Sequence, residues 1–302
     1  MTRHALAEGR SVQGMSQDRS AFGAFLRARR DRLTPAQVGI DVTSSFPDTR
    51  RVPGLRREEV AMLANLSTDH YSRLEQGRQA TVSESVLAAL TRALRLNEVE
   101  AGHLRDLATP ASSAVIVTAR ARRPIPQVQR PDPGLLRLAA TLDHVPVLLL
   151  GQRAEVLAHN TLLGAVLGRD LPAGSSFMDY LFRDPLARER ILNWAEFAAR
   201  SVAEMRLEVG RRPDDRKLLD AVDELRRTDP DVARWWNDHT VRDYASTPKH
   251  IEHPDAGSLD FDIEIVTAPH VPDQHLVVYT VEPNSPTARM LPILASWATS
   301  SR

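Results

Sequence analysis

Between Ala21 and Leu33 the apolar residues Phe22, Phe25, Leu26 and Leu33 share one stripe of a helical period, with Arg27, Arg29, Arg30 and Arg32 around the rest. This predicts an amphipathic first helix. Thr34-Pro35 offers an N-cap followed by proline at the first helical position, and Gly39 ends the short turn. Val60, Leu63 and Ala64 make the apolar face of a second helix. Asn65, which tolerates the left-handed conformation of a helix end, follows it, and Ser67 stands as N-cap of a third. Tyr71 and Leu74 turn that helix inward, Asp69 opposes the positive end of its dipole, and Thr68, Asp69, Ser72, Arg73 and Gln76 are left facing out. Ser83 then caps a helix with Val86, Leu87, Leu90 and Leu94, and Asn97-Glu98 opens another with Val99, Leu104 and Leu107, terminated by Thr109-Pro110.

The pattern changes after Gly134. Leu135 to Leu142 reads as a helix, Val145 to Leu150 as a buried strand, Glu155 to Asn160 as a second strand and Thr161 to Leu167 as a helix leaving it. Helical spacing follows at about Pro185 to Arg190, over Trp194, Phe197, Ala198, Val202 and Met205, over Leu218, Leu219, Val222 and Leu225, and around Trp235-Trp236. Strand-like composition returns at Lys249 to His253, Leu259 to Thr267 and His275 to Glu282. In the middle stretch Leu259, Phe261, Ile263 and Ile265 alternate with Asp260, Asp262 and Glu264, giving a sheet with one buried and one wet, acidic face. Ser285-Pro286 starts a last helix. The expected class is an all-α five-helix domain over 20–109 followed by an α+β domain with an antiparallel sheet over 134–302.

Residues 1–19 are polar with no period and read as disordered; 110–133, with five prolines and four arginines, reads as an extended linker. Its arginines either follow a DNA backbone or are simply solvated. The 302 residues carry 42% hydrophobic and 26% charged residues, ordinary for a soluble two-domain protein. There is no Cys, which removes disulfides, thiolate metal sites and Cys nucleophiles. No apolar run spans a membrane and no signal peptide is seen, so a cytoplasmic, nucleoid-associated protein is expected. The net charge of zero divides unevenly: residues 1–133 have 20 Arg against 14 Asp and Glu, whereas 134–302 have 19 Arg and Lys against 25. A basic front suits nucleic acid and an acidic back does not. Arg50 and Arg51 add to Arg56 and Arg57 as four guanidinium groups entering the second helix, suited to phosphate contact.

Ala61, the turn residue, Leu66-Ser67 and Tyr71-Ser72-Arg73-Leu74-Glu75-Gln76-Gly77 together resemble the lambda-repressor-like (XRE) helix-turn-helix. More narrowly, Pro53-Gly54-Leu55-Arg56-Arg57-Glu58-Glu59-Val60-Ala61 with Tyr71 to Arg78 resembles the MmyB-like bacterial regulators, and the likeness covers nearly the whole chain. Asn65 departs from the glycine more usual there, and Gln79-Ala80-Thr81 from the usual Gly- or Pro-containing loop. The resemblance implies a double-stranded DNA operator read by Thr68, Asp69, Ser72, Arg73, Gln76 and Arg78, with Arg50, Arg51, Arg56 and Arg57 on phosphates. The geometry of a helix in the major groove requires a homodimer if the operator is palindromic, with half-sites about one turn apart.

The strand, turn, strand, Asn, helix order after Val145 resembles the start of a PAS domain. By the same likeness the back domain takes a small amphipathic effector such as a fatty acid, with no other cofactor. Aromatic residues are 5% of the chain, yet many fall here. Asn160, Trp194, Phe197, Arg200, Trp235, Phe261, Ile263 and Tyr279 are the candidate lining, and a solid aromatic core is the competing explanation for each.

Catalysis finds little support: there is no P-loop, nucleophile elbow or dinucleotide fingerprint. His250 and His253 lie three apart in an expected strand, where they point to opposite faces rather than to one metal. The alternatives to a ligand-responsive regulator are a DNA-binding protein whose back domain binds protein or dimerises, and a metalloenzyme fused to a DNA module.

Overall fold

The computed structural model describes residues 20–40, 54–79, 81–108, 129–242 and 246–300. The expectations for 1–19, for Arg50 and Arg51, for Thr109-Pro110 and for the linker up to residue 128 fall outside these. The chain forms two compact units, one of residues 1–123 with 202–243 and one of 124–201 with 244–302.

The first unit opens with α1 over residues 20–32, a 3-10 turn Pro35–Val38, α2 Arg57–Leu63, α3 Thr68–Glu75, α4 Glu84–Ala93 and α5 Glu98–Ala108. The caps are those the sequence indicates. Asn65 takes φ 53° and Gly39 φ 76°. The Ser67 hydroxyl accepts from the His70 amide at 3.2 Å and Ser83 from that of Val86 at 3.3 Å. Helices this short are marginal alone and are held by burying a common face. That face joins Phe25, Leu26, Leu55, Val60, Tyr71, Leu74, Leu90 and Leu104 in one core. α1 crosses the end of α3 so closely that a Cβ on Gly23 would lie 2.2 Å from the Glu75 carbonyl oxygen.

The second unit begins with α6 Pro133–Thr141, β1 Val147–Leu150, β2 Val156–His159, α7 Thr161–Leu167, α8 Phe177–Arg183, α9 Pro185–Arg190 and the start of α10 Trp194–Arg211. Residues before α6 are tied down rather than freely extended. The Gln274 side chain accepts from the Asp132 amide at 2.8 Å and donates to the Arg130 carbonyl at 2.7 Å. β2 stops short of Asn160 because that side chain caps α7. α8 is not among the expected helices; Ser176 caps it, but seven residues are too few to display a period.

Residues 202–243 belong to the first unit. This segment holds the rest of α10, α11 Arg216–Thr228 and α12 Pro230–Asn237. Val241 is buried in the core beneath α1, Arg29 donates to the His239 carbonyl at 3.0 Å, and Arg32 to the Thr240 hydroxyl at 2.8 Å.

The chain returns to the second unit with β3 Thr247–His253, β4 Gly257–Ala268, β5 Val271–Thr280 and α13 Pro286–Ser300. The five strands lie in the order β2-β1-β5-β4-β3, antiparallel throughout. β5 starts at Val271 rather than His275 because it pairs with β4 as far as Ala268. Leu259, Phe261 and Ile263 are buried and Asp260 and Asp262 exposed, but Ile265 is only half-buried, so the expected alternation ends at Ile263. The opposite face is not wholly wet either. Leu135 of α6 packs there with Val147, Leu149, Leu276 and Val278.

Candidate functional site

In the first unit, Thr68, Asp69, Arg73 and Gln76 of α3 and its C-terminal turn, with Arg78 just beyond, are exposed, and Ser72 is half-buried. Asp69 and Arg73 form an ion pair at 2.8 Å, one turn apart. A helix presenting short polar groups and a guanidinium from its first two turns has the shape and chemistry to meet base edges in a major groove.

The two arginines at the start of α2 differ. Arg56 occupies the N-cap position and its amide donates to Glu59 at 2.6 Å. Arg57 is turned inward, its Nε donating to Glu75 at 2.9 Å. Glu75 has no exposed side-chain surface and also accepts from Arg30 Nε at 2.8 Å and Nη2 at 3.2 Å. Burial pushes the Glu75 carboxyl upward, but these guanidinium bonds outweigh it and hold it below the ordinary range.

In the second unit, β3 carries Lys249 on the inner face of the sheet with 0% exposure. Its neighbour across β4 is Phe261, and Ile263 stands opposite Tyr279 of β5. The Lys249 ammonium donates to the Tyr279 hydroxyl at 3.0 Å. It lies 4.5 Å from the centroid of the Phe197 ring, 5.1 Å from that of Tyr279 and 5.5 Å from that of Phe177. Phe261 meets Tyr279 edge-on at 5.5 Å. Among the described residues no carboxylate pairs with this lysine. Burial draws it down from 10.5 to about 7, and burial pushes the Tyr279 phenol up. Aromatic faces offset part of the cost of a buried ammonium, but an anion would offset far more.

Comparison with protein families places both regions. Residues 21–104 match a helix-turn-helix domain family, and residues 131–294, more than half the chain, match the MmyB-like transcription regulator ligand binding domain. The chain belongs to the MmyB-like transcription regulator family. It is a DNA-binding regulator with a ligand-binding domain. Among curated proteins nothing matches it significantly.

In this MmyB-like regulator the candidate ligand residues separate into groups. Phe197, Phe261 and Tyr279 gather around Lys249, with Ile263 on the same sheet face. Trp194 is buried nearby in sequence on α10, its indole donating to the Leu181 carbonyl at 2.9 Å and its ring covered by Arg188 at 3.7 Å. Arg200 is half-buried on the same helix. Asn160 spends its amide on the backbone: it accepts from Val147 and Leu163 and donates to the carbonyls of Leu142 and Val145. Trp235 lies in the other compact unit, partly exposed beside Arg234. His250 and His253 diverge as strand geometry requires, the first to Asp260 at 2.6 Å and the second to the Ala165 carbonyl at 3.2 Å. Among the described residues no group of three His, Cys, Asp or Glu could hold a metal, and no helix is long and apolar enough to cross a membrane.

Sequence reasoning missed Lys249, Phe177 and Glu75. Lys249 left one signal: it is one of only two lysines among 39 basic residues, and it shares inward parity with Ile251 and His253 on an alternating strand. Glu75 left one too: it stands four residues after Tyr71, on the inward face of α3.

Proposed function

We propose that this MmyB-like regulator senses an amphipathic carboxylate, such as a fatty acid, in its second unit, and that the effector alters operator binding. The carboxylate meets the Lys249 ammonium, and the chain lies among the rings of Phe177, Phe197, Phe261 and Tyr279. The observation that carries the reading is a fully buried lysine with a single hydrogen bond, to Tyr279, and no acidic partner among the described residues. The order β1, β2, Asn160, α7 supports a PAS-like framework around it. Trp194 and Arg200 extend the lining along α10. On the DNA side α3 enters the major groove, with Arg56 and Arg78 on phosphates and Arg57 shared between phosphate and Glu75. The protein acts as a homodimer on a palindromic operator in the cytoplasm, without catalysis.

The test is organic extraction of the purified protein followed by mass spectrometry, repeated on Lys249→Met. Wild-type protein is expected to release a carboxylate amphipath and the variant far less. Absence of any extractable amphipath, with no change of thermal stability on adding fatty acids, would move the second unit to a protein-binding or dimerisation role.

A further inference from the structure

The first unit holds a second buried cationic group, unrelated to DNA reading. Arg206 of α10 is 7% exposed. Its Nη1 donates to His239 Nδ1 at 3.1 Å and its guanidinium lies 4.3 Å from the Trp236 ring centroid. Among the described residues its Nε and Nη2 have no acceptor. Beside it in charge, Arg29 of α1 pairs with Glu100 and donates to the His239 carbonyl, yet its Nε is unmatched. His103 of α5 stands edge-on to Phe25 at 5.2 Å, against Gly210, with Nδ1 unmatched.

Buried donors left unmatched are costly, and a bound ion is one of the ways in which folded proteins satisfy them. The geometry of the unmatched Arg206 edge is specific. Nε and Nη2 form the side edge of the guanidinium, the same edge by which Arg30 grips both oxygens of Glu75 in this unit. That fork matches the spacing of two oxygens on a carboxylate or phosphate. Glu100, a carboxylate bonded to the group, is taken by Arg29, and Asp238 acts on Arg206 only through its charge.

We propose that Arg206, with Arg29, His103 and His239 around it, is a binding site for a small oxyanion, held through the Nε and Nη2 edge of Arg206. The electrostatics agree. Burial and neighbouring cations draw Arg206 down to about 9, His239 to about 4 and His103 to about 3, all of which a bound anion would reverse. The oxyanion joins α1 and α5 to the segment that carries α10, α11 and α12, so it binds the folded unit and not the unfolded chain. Such a ligand raises stability by mass action.

The experiment is thermal unfolding of the full-length protein titrated separately with inorganic phosphate and with acetate, at ionic strength fixed by chloride. One of the two anions is expected to raise the midpoint saturably, phosphate identifying a phosphoryl ligand and acetate a carboxylate. Arg227→Ala, which alters an exposed side chain of α11, should keep the response, whereas Arg206→Met should lose it while unfolding no earlier than wild type without anion. Arg206→Lys keeps the charge but not the fork, and should raise the half-saturating concentration about tenfold or more. An anion response equal to chloride alone, or one retained in both Arg206 variants, overturns the proposal.

Discussion

Arg30 on α1 closes its Nε and Nη2 on the two carboxylate oxygens of Glu75 on α3, at 2.8 and 3.2 Å. Its Nη1 donates to the Leu55 carbonyl at 2.8 Å, and Arg57 of α2 reaches the same carboxylate at 2.9 Å. The reading helix is therefore fixed to both helices before it by one buried acid. Glu75→Ala leaves Arg30 Nε and Nη2 without their acceptor, with only the Asp31 carboxylate left to it, on Nη1 at 2.8 Å, and should destabilise the protein by about 3 kcal/mol, as read by urea unfolding. Because the Glu75 carboxyl is held below its usual 4.5, its contribution is present above that pH and is lost as pH falls through the folded value. A variant as stable as wild type would show that packing alone sets the angle of α3.

The exposed arginines near α3 should separate by role. Arg73→Ala is expected to cost about 1–3 kcal/mol on a selected operator and to relax its sequence preference. Arg78→Ala should weaken binding to all DNA and reduce the salt slope by about one. Salt-dependent binding assays on operator and random duplexes distinguish these, and equal losses on both duplexes for Arg73→Ala would remove α3 from the reading surface.

Lys249 makes stability depend on alkaline pH. The buried amine titrates at about 7 and the unfolded one at 10.5, so between these values the unfolded chain carries the additional proton and stability rises with pH. From pH 7 to 9 the slope should approach about 1.4 kcal/mol per unit, and Lys249→Met should abolish it. A bound carboxylate keeps the lysine protonated, so fatty acid affinity should fall up to about tenfold per unit over the same range. Affinity independent of pH would place the carboxylate elsewhere.

Much of the fold was legible because its signals are local. Ser67, Ser83, Asn65 and Gly39 announce helix ends by their own chemistry, and period-two burial marks β4 as far as Ile263. What was not legible depends on partners far away in sequence. Residues 202–243 show helical patterning but nothing that says they pack with α1 and α5; that follows from contacts such as Arg29 to His239, 210 residues apart. Lys249 reads only as the first residue of a strand-like stretch, and it is Phe177, Phe197 and Tyr279 that close over it. Asn160 reads in the sequence as a polar group that orients a ligand, whereas in the structure its amide joins β1, α6 and α7.

The most direct measurement is the affinity of the full-length protein for an operator selected from random DNA, with and without saturating myristate, for wild type and Lys249→Met. Wild type should change affinity by about 5–150-fold, and the operator should change myristate affinity by the same factor. Lys249→Met should bind operator with an affinity that myristate does not alter. A wild-type protein that binds myristate yet holds its operator equally well with and without it would contradict the account.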